Sequence, residues 1–152
     1  MNIKTLSLIV LTFFLFNCGY TPMFSSSSQT KLNIEKFSIS GDRDLNNFIE
    51  EKVKKFNDKT SNKKISIIAK TNYSRETQTK DKSGNTTQYK LKANVEFLVT
   101  VNNTTLEIDL NESLSMNKLN DEFEQKNYEK STKDQFSTIF VNRLLINLSR
   151  IE

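Results

Sequence analysis

Residues 89–101 commit this chain to a β-sheet. Tyr89, Leu91, Ala93, Val95, Phe97, Val99 and Val101 are seven consecutive apolar or small residues at every second position. Lys90, Lys92, Asn94, Glu96, Leu98 and Thr100 fill the gaps. Side chains alternate across a strand, so this pattern turns one face to a core and the other to water. A helix cannot gather the same set on one side, because its faces recur every 3.6 residues.

Two flanking segments share the pattern. Ile65, Ile67, Ala69, Thr71 and Tyr73 occupy the odd positions of residues 65–73, and Leu106, Ile108, Leu110, Leu114 and Met116 the even positions of a later strand. Asn102-Asn103 suits a two-residue hairpin loop, since Asn tolerates positive φ. That loop pairs Val99 with Leu106 and Phe97 with Ile108. Odd and even sets then meet on one face, which a slip of one residue would undo. Upstream, a three-residue loop Lys82-Ser83-Gly84, with Gly84 left-handed, pairs Asp81 with Asn85, Tyr73 with Ala93 and Ile67 with Val99. The two hairpins agree independently, and together they predict a three-stranded antiparallel meander.

The remaining elements must cover it. Residues 32–39 read as a strand in which Leu32 and Ile34 have one parity and Phe37 and Ile39 the other, predicting a bulge near Lys36. Gly41-Asp42 ends that strand, and Asp42 or Asp44 caps a helix carrying Leu45, Phe48, Ile49, Val53 and Phe56 at helical spacing. A terminal helix over roughly 125–150 presents Phe136, Ile139, Phe140, Leu144, Leu148 and Ile151, widened by Val141 and Leu145. Lys126, Lys130, Lys133 and Asn142 fall off this stripe. Its polar side is mixed in charge and the sheet needs a cover, so the helix is expected on the sheet and not on a membrane surface. The predicted fold class is α+β: a two-layer sandwich, β-α-β-β-β-α, with two helices on one face of a four-stranded, mostly antiparallel sheet. The first strand returns through a helix, which predicts parallel pairing by a right-handed crossover. The pattern leaves its place in the sheet open.

The N-terminus has a different character. Lys4 precedes an apolar run from Leu6 to Phe16. That run falls short of the about 20 residues that span a bilayer and fits the core of a secretory signal. It ends in Leu15-Phe16-Asn17-Cys18. Leu15 and Cys18 match a lipobox, whereas Phe16 and Asn17 depart from its usual small residue and Gly or Ala. Cys18 is the only cysteine, so no internal disulfide can form. Its place before the tether Ser-Ser-Ser-Ser-Gln-Thr (residues 25–30) marks it for lipidation. The expected organisation is a signal peptide over 1–17, a lipidated cysteine and flexible linker over 18–30, and one domain over 31–152. Gly19 follows the cysteine, not the Asp that resembles an inner-membrane retention signal. A lipid anchor in the cell outer membrane, facing the periplasm, is therefore expected.

Composition excludes several functions. Without residues 1–17 the chain keeps 135 residues with 21 basic and 18 acidic groups, enough for one domain and too balanced for a nucleic-acid binder. The chain has no His, the commonest general base and metal ligand. No nucleophile elbow surrounds a Ser, and the pairs Glu50-Glu51 and Asp121-Glu122 sit in charged surface runs. No enzymatic activity, no metal and no cofactor other than the lipid on Cys18 is expected.

The stretch Cys18-Gly19-Tyr20-Thr21-Pro22-Met23-Phe24, ahead of this order of elements, resembles the LPS-assembly lipoprotein family, LptE. There the lipidated Cys is typically followed by Gly, an aromatic, a polar residue, Pro and an aromatic. Cys18, Gly19, Tyr20, Pro22 and Phe24 fit, and Asn142-Arg143-Leu144 in the terminal helix also looks alike. The resemblance implies two helices on a four-stranded sheet. It implies a place inside the outer-membrane barrel that inserts lipopolysaccharide, as its plug and assembly partner, and binding of lipopolysaccharide through basic residues. A different small envelope lipoprotein, serving as scaffold or accessory subunit of another outer-membrane or transport machine, is the alternative.

Candidate basic residues follow from the register. Lys90 and Lys92 share the face opposite the core. Arg75 lies across from Leu91 on the apolar side, at the outer end of the hairpin, where the sheet is expected to run past its helical cover. Lys80 and Lys82 extend the basic character to the tip. Phosphates and carboxylates of lipopolysaccharide suit such groups by charge-assisted contacts. The plainer role of Lys on an exposed strand is solubility and edge protection, and Glu96, Glu107 and Asp109 dilute the field of that face.

Overall fold

The computed structural model of the chain describes residues 32–62 and 64–150. Strand β1 (Asn33–Ser40) leads to helix α1 (Arg43–Lys54), strands β2 (Lys64–Lys80), β3 (Thr86–Val101) and β4 (Thr104–Asn117), and helix α2 (Glu122–Ser149). The sheet order is β1-β2-β3-β4, with β1 parallel to β2 and the other pairs antiparallel. This is the expected α+β sandwich. The first strand, whose place was open, lies at the edge beside β2 and carries its irregularity between Ile34 and Lys36.

Both hairpins form in the predicted register. Val99 pairs with Leu106 and Phe97 with Ile108, across a turn in which Asn102 and Asn103 have φ of 47° and 66°. Two consecutive positive φ values define the turn whose twist matches that of the strands. Tyr73 pairs with Ala93 and Ile67 with Val99. At the other tip Gly84 has φ of 84°, and Asp81 N–H donates to the Asn85 carbonyl at 2.9 Å. The register slips between Thr77 and Lys80, so a bulge separates that tip from the regular ladder.

The odd face of β3 is the floor of the core. Leu91, Val95, Phe97 and Val99 are completely buried, as are Leu45 and Ile49 of α1 and Phe140 of α2. Burying each such side chain contributes about 1.5–3 kcal/mol. Helix α2 begins at Glu122, earlier than its apolar spacing suggests, because Asp121 caps it by accepting from Glu124 N–H. Helix α1 stops at Lys54, and Phe56 packs from the following turn. Among the described residues no helix is long and apolar enough to cross a membrane.

Candidate functional site

Helix α1 starts at a close junction with β2. Gly41 has φ of 114°, and a Cβ there would stand 1.9 Å from the Thr71 carbonyl oxygen. Only glycine lets the chain turn so near the strand. Asp42 then caps the helix, its side chain accepting from Asp44 N–H and Leu45 N–H, while its own N–H donates to Thr71 Oγ1 at 2.9 Å.

Lys133 of α2 completes this junction. Its Nζ lies 2.9 Å from Asp42 Oδ2, 3.3 Å from Asp44 Oδ2 and 4.3 Å from the centre of the Tyr73 ring. The sequence reading placed Lys133 off the stripe, yet its side chain is 11 % exposed. The overlooked signal is its spacing, three residues before Phe136 and seven before Phe140, on the inward side of α2.

Arg75 belongs to the same network. Its Nη1 donates to Glu129 Oε1 at 2.6 Å, and its guanidinium lies 4.9 Å from the Tyr89 ring centre. Helical cover extends to this point, with Gln125 hydrogen-bonded to both Met116 and Glu129. Arg75 is therefore tied to α2 through Glu129, while its side chain stays 44 % exposed. Burial alone would raise the Glu129 carboxyl, but bonds donated by Gln125, Arg75 and Tyr73 outweigh it and hold the group below the usual range. Burial first, and then the Glu129 charge, push the Tyr73 hydroxyl upward.

Lys90 and Lys92 do project from the outer face. Lys92 Nζ pairs with Glu76 Oε2 at 2.6 Å, a bond that holds the Glu76 carboxyl below its ordinary value. Lys90 stands directly opposite Glu76 in the register, and its charge adds to the lowering of that carboxyl. Lys92 borders a polar groove of about 700 Å³ with Asn72, Ser74, Asn94, Asn111 and Ser113. Arg143 of α2 reaches the same groove and pairs with Glu112 Oε1 at 2.7 Å. Sequence patterning had no means of adding Arg143, because β4 and α2 meet only in the folded chain. Lys82 stands apart in the exposed tip loop, which the Asp81 carboxylate organises by accepting from Ser83 N–H, Asn85 N–H and Asn85 Nδ2. The structure thus brings Lys92 and Lys90 together, holds Arg75 on the opposite face and leaves Lys82 beyond the groove. Exposed pairs such as Lys92–Glu76 contribute little to stability, so an anion can displace the carboxylate. Cys18 lies outside the described residues.

Comparison with solved structures accords with this architecture. Rare lipoprotein B from Shewanella oneidensis superposes with a TM-score of 0.57 at 15% identity, over 76% of this chain and 99% of that one. Lipoprotein B from Nitrosomonas europaea gives a TM-score of 0.50 at 16% identity, over 84% of this chain and 93% of that one. No family model and no curated protein matches the chain by sequence. At such low identity the likeness speaks for the fold, and this chain has the fold of rare lipoprotein B.

Proposed function

We propose that this chain is a lipoprotein of the cell outer membrane, anchored through Cys18 and facing the periplasm, without catalytic activity. In this reading it is the plug and assembly partner of the barrel that delivers lipopolysaccharide to the outer leaflet. One conjunction carries the proposal. The motif Cys18-Gly19-Tyr20-Thr21-Pro22-Met23-Phe24 resembles the LPS-assembly lipoproteins, and that resemblance implied two helices on a four-stranded sheet. The chain has that architecture, and two solved proteins that share it are named as lipoproteins.

A pull-down of the mature lipoprotein in mild detergent, read by mass spectrometry, tests the partner. A large β-barrel protein should accompany it. Recovery of another envelope complex instead would replace this reading with that of an accessory subunit of a different machine. A second measurement tests the ligand. Lys90 and Lys92 are changed together to Glu, and lipopolysaccharide binding and barrel recovery are both followed. Loss of lipopolysaccharide binding with barrel recovery intact is expected. Unchanged lipopolysaccharide binding would remove these lysines from the ligand site and leave a purely structural plug.

A further inference from the structure

The sheet has two edges, and they are built differently. Strand β1 is short, broken in register between Ile34 and Lys36, and tied to β2 by the Glu35–Lys64 ion pair at 2.6 Å. Short length, bulges and charge are the usual protection of an edge. Strand β4 is 14 residues long and pairs with β3 without a register shift. It contains no Pro, Lys or Arg. Among the described residues no strand lies on its other side.

The turn at Asn102-Asn103 determines which groups that edge presents. A turn of this kind joins Val101 and Thr104 by a main-chain hydrogen bond, and hydrogen-bonded and open pairs then alternate along an antiparallel ladder. The even residues of β4 therefore turn their main-chain groups toward β3. Thr105, Glu107, Asp109, Asn111, Ser113 and Ser115 turn theirs outward.

Side chains on the two faces specify what fits there. On the covered face Leu106, Leu110 and Leu114 are only partly buried at the rim of the core. An apolar side chain from an added strand would complete that rim. On the outer face Glu107 is exposed, and Asp109 stands directly opposite Glu96 in the register. Glu96 faces Lys70 on its other side and Asp109 accepts from Asn94 and Asn111, so the row turns acidic toward the edge, where a cation from an added strand would be favoured. A second copy of β4 would add acidic groups to this row and no basic ones. The tether does not fit either, since residues 18–31 hold Pro22, four consecutive serines and a single Lys.

We propose that the outer edge of β4 is a strand-addition site for an extended segment of a partner protein in which apolar residues alternate with Lys or Arg. Main-chain bonds would supply the affinity and the alternating side chains the specificity. This inference does not depend on the barrel reading, because any protein supplying such a segment would satisfy it.

The test uses the full chain in detergent micelles and two synthetic ten-residue peptides, one of Val-Lys repeats and one of Val-Glu repeats. The Val-Lys peptide should bind and slow hydrogen exchange at Thr105, Glu107, Asp109, Asn111 and Ser113. Asn111→Pro removes an outward N–H and spares the ladder to β3, which edge strands tolerate. It should weaken binding roughly tenfold while the amides of β3 stay protected. Glu107→Lys with Asp109→Lys should exchange the preference between the two peptides. Equal binding of both peptides, protection away from β4, or odd-residue amides already protected in the free chain by dimerisation or by its own tether would each overturn the proposal.

Discussion

Gly41 illustrates how much one residue can carry. Its positive φ and the 1.9 Å approach of any Cβ to the Thr71 carbonyl leave no room for a side chain. Gly41→Ala should lower stability by roughly 2–5 kcal/mol, combining backbone strain with overpacking, as read by denaturant unfolding. Glu129 carries a pH dependence. Its folded-state pKa lies below the ordinary 4.5, so the stability it contributes is complete above that value and is lost as pH falls through the depressed one. Glu129→Gln should therefore flatten the acid limb of the stability profile below about pH 4.5, and a limb identical to the wild type would refute this account. The spacing that reveals Phe136 and Phe140 also reveals Lys133, but a charge discourages its assignment to a core. What makes Lys133 at home there is Asp42, Asp44 and the Tyr73 ring, and all three come from distant parts of the chain.

Among the elements, β3 was the most legible and the helix ends the least. Period two is a local property, and a hairpin converts it into register through the turn alone, so Phe97 could be placed opposite Ile108 without further information. Phe97 is fully buried, and Phe97→Ala should cost about 3–5 kcal/mol in equilibrium unfolding. A loss below about 1 kcal/mol would mean that the site collapses or is not core. The start of α2 was set too late because residues 122–125 add little to the apolar stripe. Asp121 decides it instead, by capping. That extra turn has a consequence for the candidate site, since it brings Gln125 and Glu129 to Arg75 and ties that exposed cation to a carboxylate of the helix.

At the scale of the whole molecule, the proposed attachment to the membrane is a lipid on Cys18. A single acyl chain anchors only marginally, and additional chains make anchoring stable. Labelled palmitate should enter the wild-type protein and be absent from Cys18→Ala, which should then leave the membrane fraction. Equal labelling of the two proteins would rule out acylation at Cys18.

The sequence alone determined the meander, its register, the apolar stripes of both helices and the expectation of a lipid anchor. Each of these rests on alternation, helical spacing, a turn or a short N-terminal motif, and such signals are contained within a few consecutive residues. The tertiary structure decided what depends on residues far apart in the chain. It placed β1 at the edge beside β2, buried Lys133 against the cap of α1, and paired Arg75 with Glu129. It also brought Arg143 to the groove beside Lys92 and left β4 as the long open edge. Cross-strand order and ion-pair partners are set by packing one element against another, and that physical coupling leaves no periodic trace in the chain.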